Sequence, residues 1–90
     1  MLDKRVDSPA AAVADVQDGA RVLIGGSGNA GVPVALTHAL LEQGARGLTV
    51  VTNNAGSGDT DVAALLRERR VRKIICSYPR SRGSTWFEEL

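Results

Sequence analysis

Cysteine, histidine and aromatic side chains are nearly missing from this 90-residue sequence. The single cysteine, Cys76, excludes an internal disulfide, and with the single histidine, His38, it excludes any recognisable zinc pattern. No apolar run exceeds five residues, far short of a membrane span. The first residues, MLDKRVDSPAAAVADV, lack a long apolar segment and carry acids, so neither a signal nor a transit peptide is indicated. A reducing cytoplasm is the expected setting. Charge of one sign is also lacking: 11 Lys+Arg stand against 10 Asp+Glu, which argues against a nucleic-acid or membrane-surface specialist. What is present is 43% hydrophobic residues, mostly Ala, Val, Leu and Ile, enough for the core of one domain of modest stability.

The apolar residues recur in a regular order. Ser8-Pro9 reads as an N-cap and first helical residue, followed by Ala10 to Val16, with Gly19 placed to end the helix. Arg21 to Gly25 is a short apolar strand, and a glycine-rich loop runs from Gly26 to Val32. Pro33 can open a helix over Val34 to Gln43, closed by Gly44. Leu48 to Thr52 is a β-branched strand followed by a polar loop, Asn53 to Asp59. Thr60 or Asp59 can cap a third helix, spaced by Val62, Leu65, Leu66 and Arg69. Lys73 to Cys76 is a third strand, and after a loop to Gly83 another helix is expected over Thr85 to Leu90.

Strands alternating with helices of this length predict an α/β fold, three-layered, with a parallel sheet in β-α-β-α-β order. Right-handed crossovers then gather the three strand C-termini at one edge, with loops 26–32, 53–59 and 77–83. Six of the ten glycines lie in those loops. Open α/β sheets bind ligands at that edge, so the site is placed there.

Gly26-Ser27-Gly28-Asn29-Ala30-Gly31 satisfies GxGxxG after a strand and before a helix. Such glycines let the backbone approach a phosphate or thioester, or simply let helix and strand pack closely. A dinucleotide fold wants an acid near the end of the second strand, where this chain has Thr52-Asn53-Asn54. A Walker loop fails because Gly31 precedes Val32-Pro33. Asn53 and Asn54 suit a neutral polar group or a carboxylate, and suit Asx-turn chemistry equally.

No nucleophilic constellation is visible. Cys76 reads as a buried small apolar residue and His38 as a packed or surface histidine. Glu42, Glu68, Glu88 and Glu89 fall on helical stretches and face solvent or form i,i+4 pairs. The basic run 67–73 could touch phosphates, but with Glu68 inside it and no aromatic interleaving it reads as a solvated helix end.

The stretch Asp18-Gly19-Ala20-Arg21-Val22-Leu23-Ile24-Gly25-Gly26-Ser27-Gly28-Asn29-Ala30-Gly31-Val32-Pro33 closely resembles the family I coenzyme A-transferase signature. That signature runs Asp-Gly, two variable residues, three apolar residues, Gly-Gly-Phe, then a glycine and a proline. Residues 48–56 look like the family's second block and residues 73–78 like its third. Tyr78-Pro79-Arg80 and Trp86 to Leu90 look most like the A (alpha) subunit of the 3-oxoadipate and 3-oxoacid members.

The resemblance implies transfer of coenzyme A from succinyl-CoA to a 3-oxo acid such as 3-oxoadipate or acetoacetate. It implies no permanently bound cofactor, with the coenzyme A thioester as substrate. The family's nucleophile is a glutamate supplied by a B (beta) subunit, forming a glutamyl-CoA thioester. No glutamate here occupies that motif, so this chain is expected to supply no catalytic residue and to be inactive alone. By resemblance, Asn53 and Asn54 would hold a carboxylate or developing oxyanion, and Gly25, Gly26, Gly28 and Gly31 with Pro33 would shape the same pocket. Ser27 stands where the signature has phenylalanine. The sequence resembles only the N-terminal portion of the family's alpha polypeptide. A dinucleotide-binding oxidoreductase fragment and a non-catalytic interaction domain are the alternatives.

Overall fold

A computed structural model describes residues 3, 5–27, 30–56, 61–78 and 86–87. The elements run α1 (Pro9–Val13), β1 (Arg21–Ile24), α2 (Val34–Gln43), β2 (Leu48–Thr52), α3 (Asp61–Arg67) and β3 (Val71–Ile75). The three strands form one parallel sheet in the order β1-β2-β3. The α/β fold with a β-α-β-α-β core is as expected from the alternation of strands and helices.

Local chemistry explains most of the boundaries. Ser8 caps α1, its Oγ accepting from Ala11 N at 3.0 Å, with Pro9 in the first turn. α1 stops at Val13, short of the expected Val16. The reason is tertiary: Gln43 Nε2, at the end of α2, donates to Val16 O at 2.6 Å and Val13 O at 3.3 Å. α2 has the expected bounds, with Pro33 as its N-cap residue and Gly44 in the left-handed conformation, φ 97°, as its C-cap. α3 begins at Asp61, whose Oδ1 accepts from Ala63 N at 3.3 Å. The expected caps Asp59 and Thr60 lie outside the described residues, as do Pro79 to Thr85 and Glu88 to Leu90. Of the expected last helix, Trp86 and Phe87 are described, and both pack half-buried against the core.

β2 is the central strand, and Leu48 and Val50 are fully buried on the face that meets the helices. Leu40, Val62, Leu65 and Ile24 complete that core. Because consecutive strands are neighbours and parallel crossovers are right-handed, α2 and α3 lie on one face and pack on each other. α1 packs on α2. The described residues therefore supply two of the three expected layers. The opposite face carries the register row Leu23–Val51–Ile75, with Leu23 73% and Ile75 44% exposed.

Candidate functional site

The edge to which the strand C-termini run is held together by main-chain bonds. Asn53 O, just past β2, accepts from Ser77 N at 3.2 Å and Tyr78 N at 3.0 Å, just past β3. A parallel bridge between Asn54 and Tyr78 continues the pairing beyond the strands. After β1 the chain turns tightly, with Ser27 and Ala30 exchanging both backbone bonds at 2.9 and 3.0 Å. Ser27 is exposed there.

Two glycines make this arrangement possible. Gly26 has φ +120°, and a Cβ on it would lie 2.7 Å from Val32 Cγ2 and 3.2 Å from Ala30 O. Gly56 has φ +77°, and its Cβ would lie 2.5 Å from Ala63 N in the first turn of α3. The loop after β2 is thus pressed onto the start of α3 at a point where only glycine fits.

The two asparagines have different surroundings. Asn54 Oδ1 accepts from Gly56 N at 2.8 Å, which is the Asx turn that the residue types also allow. Asn53, half-buried, lines a depression of about 320 Å³ together with Gly25, Gly26, Thr52, Leu23 and Val51. None of the described residues lining it is charged. The depression joins the strand edge to the sheet face that carries Leu23 and Val51, so it offers an apolar wall, side-chain-free backbone and one amide.

Of the residues expected at the site, Gly25, Gly26 and Asn53 come together around this depression, and Gly31 lies against Gly26, its Cβ position 3.9 Å from Gly26 Cα. Asn54 supports the loop from behind. Pro33 lines a separate apolar cavity of about 140 Å³ between α1, β1 and α2, with Leu36 and Leu40. Gly28 lies outside the described residues. Sequence reasoning overlooked Gly56, although Asn54-Ala55-Gly56 carries the Asx-turn spacing.

The remaining candidates are peripheral. Cys76 is half-buried just beyond β3, and burial pushes its thiol above the ordinary range, which makes it a poor nucleophile. His38 is exposed on α2, with Nε2 3.0 Å from Glu42 Oε1 one turn on. Helices run antiparallel to the strands they connect, so Glu42 and Glu68 sit at the end of the sheet away from the depression. Among the described residues no cluster of three His, Cys, Asp or Glu could hold a metal, and no helix is long and apolar enough to cross a membrane.

The geometry alone fits several ligands, and comparison with known proteins decides the family. The family model described as coenzyme A transferase matches residues 6–90. The chain belongs to the coenzyme A transferase family. It is 46% identical over its whole length to the alpha-type (A) polypeptide of the 3-oxoadipate CoA-transferase of Pseudomonas putida, covering 39% of that protein. It is 48% identical to the equivalent polypeptide, of the same name, from Acinetobacter baylyi, covering 40% of it. Human mitochondrial succinyl-CoA:3-ketoacid coenzyme A transferase 2 is 46% identical over 70 residues, 78% of this chain and 14% of that protein. This coenzyme A transferase chain therefore spans about two fifths of the length of these two bacterial relatives. Family membership sets aside the dinucleotide-binding reading, in agreement with Asn53-Asn54 standing where that fold wants an acid.

Proposed function

We propose that this chain forms one wall of the acyl-transfer site in a CoA-transferase that moves coenzyme A from succinyl-CoA to a 3-oxo acid, 3-oxoadipate or acetoacetate. The glutamate nucleophile comes from a B (beta) subunit. The observation that carries the reading is the convergence of Gly25, Gly26 and Asn53 on one uncharged depression at the C-terminal strand edge. A wall whose described lining is uncharged and largely apolar suits the neutral thioester group and the methylenes beside it, while an unpaired buried charge there would be costly to desolvate.

The roles follow from the surroundings of each residue. Gly25 and Gly26 present main chain without side chains, so a thioester can lie against the backbone. The Asn53 amide can donate to the oxygen that becomes negative when a carboxylate attacks the thioester carbon. Asn54 fixes the loop through its bond to Gly56 and so fixes the position of Asn53. The attacking carboxylate must come from elsewhere, because the described glutamates sit at the other end of the sheet.

The test is CoA transfer from succinyl-CoA to 3-oxoadipate and to acetoacetate, using the complex that the tagged chain brings from its own source. Turnover is expected, and hydroxylamine is expected to convert a glutamyl thioester on the partner into a hydroxamate. A hydroxamate on this chain would overturn the assignment of the nucleophile. No turnover of either acceptor by an intact complex would overturn the activity.

A further inference from the structure

The basic run 67–73 leads into β3, and β2 is the sole strand neighbour of β3 among the described residues. Leu48 N donates to Arg70 O and Thr49 N to Ala20 O, so on β2 the main chain of Leu48 and Val50 bonds to β3. Their register partners, Val71 and Ile74, therefore direct N–H and C=O away from the sheet. Between them the register slips. Leu48 faces Val71 but Thr49 faces Lys73, so Arg72 is the inserted residue of a bulge. A bulge and two cations are enough to keep an edge strand from pairing with another sheet.

Blunting an edge does not call for an apolar slot beside it, and one is present. Leu66, Ile74 and Phe87 line a cleft of about 290 Å³ along β3, together with Arg69, Arg72 and Lys73. All three cations are exposed, and none of the described residues lining the cleft is acidic. Glu68, the acid within the run, is engaged by Arg67 at 3.0 Å. Arg69 holds the left-handed position that closes α3, φ +56°, where glycine would avoid the crowding of Cβ against the carbonyl. The chain as a whole is only +1, so three cations around one slot are a local feature.

We propose that the β3 edge docks a short, extended acidic segment of a partner protein, with one aliphatic or aromatic side chain seated in the cleft. Charge complementarity selects this occupant: carboxylates on either side of the anchor would face Arg72 and Lys73 on the strand and Arg69 at the end of α3. The outward N–H and C=O of Val71 and Ile74 give the segment main-chain partners, as in strand addition to a sheet edge. The bulge keeps that pairing short, because the two outward positions lie three apart in sequence where a regular strand places them two apart. A phosphate-bearing small molecule would meet the cations and leave the main-chain groups of the edge unused.

Two measurements on the full chain, in the assembly it forms, test the dock independently of turnover. One titrates the fluorescein-labelled peptides Glu-Asp-Leu-Glu-Asp, Gln-Asn-Leu-Gln-Asn and Glu-Asp-Gly-Glu-Asp. The other treats the assembly with a carbodiimide, which joins an amine to a touching carboxylate, and maps the partner of Lys73 by mass spectrometry. An empty dock should bind the acidic leucine peptide saturably, and a filled one should cross-link Lys73 to a carboxylate of another polypeptide. The neutral and the glycine peptides should bind at least about tenfold more weakly, and salt should weaken the acidic leucine peptide. Arg72→Gln should lower the peptide affinity or the cross-link yield about tenfold and, being exposed, leave the melting temperature unchanged. Neither binding nor a cross-link, or a cross-link confined to this chain's own carboxylates, would overturn the proposal. Equal affinity for the three peptides would also overturn it. ADP binding that Arg72→Gln abolishes, with no peptide binding and no cross-link, would overturn it in favour of a phosphate-bearing ligand.

Discussion

Replacing Gly56 by alanine tests whether the loop after β2 is locked onto α3. The new Cβ would lie 2.5 Å from Ala63 N and 2.6 Å from Asp61 Oδ1, and φ is +77°. The left-handed conformation costs a non-glycine residue about 1–2 kcal/mol. Overpacking against a backbone atom, which cannot rotate away, adds about 1–3 kcal/mol. The expected loss is therefore about 2–5 kcal/mol. At about 0.05–0.15 kcal/mol per residue, a chain of 90 residues has roughly 5–13 kcal/mol in all, so the loss is a large fraction of it. The control is Gly25→Ala. No atom lies within 4 Å of its Cβ position and its φ is outside the left-handed region, so it should be neutral or stabilising by about 0.4–1 kcal/mol. Urea unfolding of the two variants beside the parent separates the cases, provided the slope with denaturant is unchanged. Stabilities for the two variants agreeing within about 0.5 kcal/mol would refute the packing argument.

Four further outcomes follow from other contacts. Asn53→Ala should lower kcat/KM for CoA transfer by about a hundredfold with little change in stability. Asn54→Ala should instead cost about 0.5–1.5 kcal/mol of stability through its lost turn bond, and equal effects of the two on both readouts would contradict their separation. Gln43→Ala should cost about 1–3 kcal/mol, because its amide bonds Val13, Val16 and Ala45 and so ties α1 to the end of α2; hydrogen exchange should show α1 loosening first. The Cys76 thiol is raised by burial, so alkylation by iodoacetamide should have its midpoint above that of the urea-unfolded chain. Linkage gives the sign: the folded pKa exceeds the unfolded one, so this contribution is intact below the unfolded value and lost as pH rises through the folded value. A folded midpoint at or below the unfolded one would contradict the burial.

Elements with strong local signals were legible in the chain. The bounds of α2 follow from Pro33, which cannot donate a helical bond, and Gly44, which takes the left-handed cap at no steric cost. β2 follows from Leu48-Thr49-Val50-Val51-Thr52, whose branched side chains favour extended backbone. The family signature across 18–33 likewise consists of short-range glycine and proline positions. Where a distant partner intervened, local reading failed. α1 ends early because Gln43, 27 and 30 residues away in sequence, takes the carbonyls of Val16 and Val13.

The sequence by itself determined the alternation of strand and helix, the parallel sheet and the strand edge at which the loops gather. Each of these rests on periodicity and on residues whose backbone preferences act within a few positions. Only the tertiary structure decided that Asn53 faces the depression while Asn54 braces the loop, for adjacent residues of one type have identical propensities. The same holds for Pro33, which turns to a different cavity, and for Arg69, Arg72 and Lys73, which share a cleft. Those outcomes depend on strand register and on which helices share a face, and both are fixed by contacts between residues far apart in the chain.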